Sequence, residues 1–217
     1  MKRPERVVLQ GRHVKIVPLH AATHAAALYA GSKDAGLWRY LFNGPYTDEA
    51  EFRAWLEGRE TLEDPLFFTV LDGPSGVAVG YCSLMRIDAV HRVIEVGNIL
   101  YLPCLQRTVG ATEAMYLMAR YVFEELGYRR YEWKCDAWNA PSRRAALRLG
   151  FTFEGIFRQH MMVKGKNRDT AWYSMLDTEW GERKQAFEEW LSPENFDAEG
   201  KQKQSLAAGE HGQTPIA

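Results

Sequence analysis

Two hydrophobic periods alternate along this chain, and the switches between them mark out its elements. VVLQGRHVKIVPL (7–19) reads as β-structure with a turn at Gly11, and the Ala-rich HAATHAAALYAG that follows reads as a helix stopping at Gly31. After Thr47 and Asp48, Phe52, Trp55 and Leu56 fall at i, i+3 and i+4 behind an acidic first turn, which predicts a second helix, expected to be lid-like. LFFTVL (66–71), a DGPSG turn and VAVGYCSLMRI (77–87) form a hairpin, and VIEVGNILYL (93–102) adds a third consecutive strand. From Val109 to Leu126, apolar residues at 111, 115, 118 and 122, flanked by 114, 117 and 121, keep helical spacing, and Gly127 suits the C′ position.

The period then returns to two. In YRRYEWKCD (128–136), Tyr131, Trp133 and Cys135 alternate with Arg130, Glu132 and Lys134, as in a strand with one covered face. NAPSRRAALRLG predicts a short helix with Asn139 as N-cap and Gly150 as its stop. FTFEGIFRQHMMV and DTAWYSML around a KGKN turn give a closing hairpin, and GERKQAFEEWL a last helix. The resulting order is β, α, α, β, β, β, α, β, α, β, β, α, without an internal repeat.

Composition narrows the class. At 217 residues and 46% hydrophobic content, the chain fits one domain, here placed at 1–191. Residues 192–217 hold few bulky apolar side chains and are expected to form a disordered tail. With 27 Lys and Arg against 28 Asp and Glu, the net charge of −1 gives no long-range pull toward nucleic acid or an anionic membrane, so an anionic ligand must be held locally. No run approaches a membrane span and the N-terminus lacks a signal-like apolar stretch, so a cytoplasmic protein is expected. Cys82, Cys104 and Cys135 are widely spaced, which fits reduced thiols better than a disulfide framework.

LQRTVGATEA (105–114) joins a strand to the long helix. The free N–H groups and positive dipole end of such a helix make an anion site, to which Gln106, Arg107 and Thr108 add donors and a cation; an ordinary helix start with a solvated Arg is the alternative.

The element order, together with this stretch, resembles the GNAT superfamily of N-acetyltransferases, and in particular the branch of ribosomal-protein N-terminal acetyltransferases, over roughly residues 7–178. The branch's downstream motifs match Asn139 and Ser142, Gly150 and Phe151, Glu154, Gly155 and Arg158, then Arg168, Asp169, Tyr173 and Ser174, in that order. The resemblance implies an α/β fold, a mixed central sheet flanked by helices. It also implies acetyl-CoA as co-substrate, no metal, and an amine acceptor that is a small molecule or a protein N-terminus. It leaves open whether the protein is a monomer or a homodimer.

Within the family's Q/R-x-x-G-x-G/A signature, alignment on ATEA puts Gln106 first and Ala111 last, but Val109 stands where the middle glycine is expected. If that position requires positive φ, the turn must shift to Gly110; a frame of Arg107, Gly110 and Thr112 is the other option. In either frame Gln106, Arg107, Thr108, Val109, Gly110, Ala111 and Thr112 are the pyrophosphate candidates, and the resemblance adds Ile99, Leu100 and Tyr101 from the preceding strand.

Acetyl transfer to an amine needs a base for the amine, hydrogen bonds to the acetyl carbonyl and a proton for the departing sulfur. The resemblance places the base at Glu95, which shares a face with Val93, Ile99 and Tyr101 if its strand is regular; a glutamate merely paired with an Arg is the other reading. It places the acid at Ser142 and a pantetheine contact at Asn139, while simple helix capping by both remains open. The tyrosine acid of many relatives is replaced by Ala146, with Tyr173 a poorer substitute. The missing tyrosine and Val109 motivate an alternative in which the protein binds CoA without turnover.

HAATH (20–24) spaces two His as zinc helices do, yet lacks the Glu of HExxH and a third ligand, so no metal is assigned. Trp38, Tyr40, Phe42, Tyr46 and Trp55 fall in the segment that shapes the acceptor cleft in the resembled family; they line a pocket or simply pack.

Overall fold

The structure is a computed structural model that describes residues 2–206. Among these residues, eight strands form one mixed sheet: β1 (Leu9–Gln10), β2 (Val14–Pro18), β3 (Leu66–Asp72), β4 (Ala78–Asp88), β5 (Val93–Tyr101), β6 (Arg130–Asp136), β7 (Thr152–Val163) and β8 (Lys166–Leu176). The spatial order is β1-β2-β3-β4-β5-β6-β8-β7, and neighbours are antiparallel except β5 and β6, which run parallel. The helices are α1 (Ala21–Gly31), α2 (Glu49–Glu60), α3 (Val109–Arg120), α4 (Ala140–Arg148) and α5 (Asp177–Leu191).

Local chemistry sets their starts. Asp48 accepts from Glu51 N at 2.8 Å to open α2, Thr108 Oγ1 accepts from Ala111 N at 3.2 Å to open α3, and Asn139 Oδ1 accepts from Ser142 N at 3.2 Å to open α4. The long helical pattern continues past α3 as a π turn over Tyr121–Glu125, and Gly127 then reverses the chain at φ 69°.

Two cores form on the two faces of the sheet. α3 and α5 cover the face carrying Ile16, Phe68, Leu84, Ile94 and Val96, whereas α1 and α2 cover Phe67, Tyr81 and Leu100 on the other. Residues 66, 67 and 68 alternate between the two cores, as the period of two dictates. The α1–α2 layer holds most of the early aromatics: Trp38 and Phe52 are buried, and Tyr46 and Trp55 pack against them. α2 is therefore a packed helix and not the expected lid.

The turn between β1 and β2 is pinned to α3 by a single side chain. The buried carboxylate of Glu113 accepts from the backbone N–H groups of Arg12, His13 and Val14 at 2.7–2.9 Å. A Cβ on Gly11 would stand 2.4 Å from Glu113 Oε2, so this seat requires glycine there.

Two irregularities shape the middle of the sheet. Residues 81 and 83 of β4 pair with 100 and 97 of β5, so β5 carries one extra residue, and Asn98 adopts φ 50° in that bulge. The bulge reverses the alternation beyond it. Leu100 shares the face of Glu95, while Ile99 and Tyr101 turn to the α3 face, correcting the expectation of a regular strand with Glu95, Ile99 and Tyr101 together. Second, β5 and β6 pair only from Val93–Arg130 to Val96–Trp133. Past that point β5 remains bonded to β4, and β6 to β8, so the sheet splits into a V.

The tail expected from residue 192 differs in its first part. Pro193–Asn195 form a 3-10 turn, Phe196 packs edge-on against Trp190 with centroids 5.3 Å apart, and Leu206 is buried. The bulk composition of this stretch concealed two apolar anchors, Phe196 and Leu206. Residues 207–217 lie outside the described residues. Among the described residues, no helix is long and apolar enough to cross a membrane.

Candidate active site

The split in the sheet opens into a cleft of about 1350 Å³, larger than the roughly 300–1,000 Å³ of ordinary small-molecule pockets and roomy enough for two substrates together. One end is built by the turn into α3 and the start of α4; the other lies over β4, β5 and β8.

At the α3 end, the loop solves its geometry in an unexpected way. The left-handed residue is Arg107, at φ 62°, and Val109 already lies in α3 with no positive φ. Position 109 needs no positive φ, so the shift of the turn to Gly110 does not arise: Gly110 is helical, and its lack of a side chain serves packing, because a Cβ there would stand 2.8 Å from Val14 Cγ1. Gln106 Nε2 donates to Tyr101 O at 2.8 Å and ties the loop to the end of β5. Gln106, Arg107, Thr108, Val109, Ala111 and Thr112 all line the cleft, and Gly110 does not. Ile99 and Tyr101 line it from β5, whereas Leu100 is buried in the α1–α2 core.

Asn139 and Ser142 line the facing wall. Asn139 is the N-cap of α4, so its capping role holds, and Ser142 Oγ accepts from the indole N–H of Trp133 at 3.0 Å. That bond uses an acceptor lone pair and leaves the hydroxyl proton available to donate. Burial pushes the Cys135 thiol above its ordinary pKa, with Ser142, Arg168 and Arg143 pulling the other way.

Glu95 sits where β5 and β6 part, only 5% exposed. Its Oε2 accepts from Lys134 Nζ at 2.8 Å and lies 3.6 Å from Arg86 Nε. The pairing expected with an Arg is thus mainly a pairing with a lysine. Burial pushes the Glu95 carboxyl above the ordinary carboxylate range, although Lys134 and then Arg86 pull the other way.

Lys134 belongs to a longer chain of alternating charge. It also donates to Glu132 at 2.6 Å, Glu132 accepts from Arg130 at 2.7 Å, and Arg130 grips Glu154, which accepts from Ser174 Oγ at 2.7 Å. The polar face of β6 was expected to be open. Instead Glu132 is 7% exposed and the Lys134 ammonium lies 3.9 Å over the Trp172 ring.

Several cleft residues had no signal of their own in the sequence. Trp190, Phe196, Gly200 and Gln202 line the α3 end from the C-terminal segment, and Arg148 links them by donating to Thr112 Oγ1 at 3.0 Å while lying 4.9 Å over Trp190. At the other end Tyr40 and Phe42 line the cleft, while Trp38 stays buried behind them. Tyr173 is buried outside the cleft, its hydroxyl accepting from Arg143 at 3.2 Å. His24 is likewise buried, hydrogen-bonded to Thr69 at 2.9 Å, and His20 lies by Glu60.

Known proteins share this chain's sequence pattern and its fold. The sequence profile of the acetyltransferase (GNAT) domain matches residues 13–152. A GCN5-related N-acetyltransferase from Brucella melitensis superposes with a TM-score of 0.93 at 51% identity, covering 94% of each chain. A GNAT-family structure from Chromobacterium violaceum superposes at 0.79 with 41% identity, covering 83% of this chain and 91% of that one. A Bacillus subtilis protein described as a candidate ribosomal N-acetyltransferase is 32% identical over 105 residues, 48% of this chain and 57% of its own length. With the domain profile spanning more than half of its length, this chain belongs to the GNAT family of acetyltransferases.

Proposed function

We propose that this acetyltransferase takes its acetyl group from acetyl-CoA and passes it directly to a primary amine, of a small molecule or a protein N-terminus, within a ternary complex. The observation that carries this reading is the continuity of the cleft: the N-terminus of α3 and the Glu95 carboxylate line one cavity, joined by the split between β5 and β6.

The residues present fit that co-substrate. Residues 106–112 surround the helix N-terminus, where backbone N–H groups and the helix dipole favour a pyrophosphate. The edges of β5 and β6 that no longer pair with each other offer main-chain groups to an extended amide-bearing arm and to the acetyl carbonyl. Acetyl-CoA supplies the acetyl group as an activated thioester. Glu95 takes the proton of the amine, directly or through water, and its carboxyl, with a pKa raised by burial, is a better base than an exposed one. Ser142 donates its hydroxyl hydrogen bond toward the departing sulfur, held in place by Trp133 and the start of α4.

The description of the Bacillus subtilis relative as a ribosomal N-acetyltransferase supports a ribosomal amine as one acceptor class. Incubation with acetyl-CoA and a panel of small amines and peptides, read by release of free thiol, tests the reading. Thiol release above hydrolysis with at least one amine is expected, and its absence across the panel would overturn it.

A further inference from the structure

The acceptor end of the cleft contains a cation that the proposed chemistry leaves without a task. Arg168, on β8, is 7% exposed and lines the cavity. Its Nε is buried without a hydrogen-bond partner, and its side chain makes no hydrogen bond or ion pair among the described residues. Withdrawing most of this side chain from water with no bonded counter-charge is unfavourable, and burial pulls Arg168 below its ordinary pKa, offset only in part by Asp136, Cys135 and Glu95. Asp136 is not a bonded partner: its carboxylate accepts from Trp138 N at 2.8 Å.

What holds Arg168 is an aromatic face. The guanidinium carbon lies 4.9 Å over the Phe42 ring, and Phe42 is half exposed at the rim of the same cleft. A ring face holds the cation without consuming its N–H donors, and the donor fork of a guanidinium suits a bidentate carboxylate. On the β-strand walls Lys134 is bonded to Glu95 and Glu132 and Arg86 lies 3.6 Å from Glu95, while Arg107, Arg144 and Arg148 line the cleft from the turn into α3 and from α4. Thr170 and His160, beside Arg168 on the cleft wall, hydrogen-bond each other at 3.0 Å.

Building on the acetyl-transfer reading above, we infer that Arg168 is a specificity-determining residue that binds a carboxylate of the acceptor. The acceptor then presents an amine to Glu95 and a carboxylate, a few bonds away, to Arg168. Both ends of such a molecule meet an opposite charge in the cleft, and the carboxylate supplies the counter-ion that Arg168 lacks. A free amino acid and a peptide with an acidic residue near its N-terminus both meet this description.

Matched acceptor pairs test it, each pair differing only in the carboxylate: free amino acids against their amides, and peptides with Asp or Glu against Asn or Gln at the first two positions. Wild-type kcat/KM is expected to favour the carboxylate member of a pair by about tenfold to a hundredfold, the range for a buried charge-assisted hydrogen bond. The pair type showing the preference identifies the source of the carboxylate. Arg168→Met should abolish that preference while the acetyl-CoA Kd stays unchanged, and Arg168→Lys should retain part of it. Wild-type turnover of both members at equal efficiency, or an equal loss for both in Arg168→Met, would overturn the inference and leave acetyl transfer standing. No thiol release with any acceptor would overturn both.

Discussion

Lys134 Nζ lies 2.8 Å from Glu95 Oε2, joining two residues on parallel neighbouring strands at the point where those strands part. The lysine has a consequence beyond holding its partner still. It favours the ionised carboxylate against a burial cost that pushes the other way, so the pKa of Glu95 is set by a balance of opposing effects.

That balance predicts the acid limb of the pH profile. In its proposed role Glu95 is a base only when ionised, so kcat/KM should fall as pH drops through a value above the ordinary Glu pKa of about 4.3. Arg86, half exposed and 3.6 Å away, also favours the ionised form. Arg86→Met removes that help and should move the limb to higher pH, by a modest amount because solvent screens the pair. A pH series of thiol release on both proteins checks the direction; a limb displaced to lower pH would contradict it.

At the α3 turn, Val109→Gly should leave the acetyl-CoA Kd within about twofold, because the backbone N–H is retained and no positive φ is needed there. Calorimetric titration decides the matter. A clear gain in affinity would mean that valine impairs the loop.

Gly110→Ala should behave differently. The new methyl would meet Val14 Cγ1 at 2.8 Å, and valine has few rotamers into which to retreat. Such overpacking costs about 1–3 kcal/mol, visible as a lower denaturation midpoint with an unchanged m-value.

Ser142→Ala should lower kcat by roughly tenfold to a hundredfold with little change in KM for acetyl-CoA, since in the proposed mechanism Ser142 is the donor to the departing sulfur. The same change leaves the buried Trp133 indole N–H unpaired. Trp133→Phe in the Ser142→Ala background removes that orphan donor and separates any stability loss from the rate effect.

Much of the fold was legible because it rests on local signals. The apolar spacing at 111, 115, 118 and 122 gave α3, Asn139 and Gly150 bracketed α4, and residues 106–112 fell at the start of α3. What escaped depends on distant parts of the chain. Lys134 alternates with apolar neighbours as an exposed lysine would, but Trp172, brought in by β8, lies under its ammonium, and Glu95 and Glu132 bond to it. The bulge at Asn98 had a local hint, since Gly97–Asn98 is a pair that tolerates unusual backbone, but period two alone read straight through it. Arg107 offered no such hint, because nothing in an arginine side chain announces a left-handed φ. Phe196 and Leu206 were hidden in a polar stretch whose average composition outweighed two anchors.

The account depends most on Glu95 as the base. The direct measurement compares wild type with Glu95→Gln at saturating acetyl-CoA and an accepted amine, with the acetyl-CoA Kd determined on the same preparations. A fall in kcat of roughly a hundredfold or more at unchanged Kd, together with loss of the acid limb, is the predicted result. A variant that keeps near-wild-type kcat and the same pH profile would contradict the assignment.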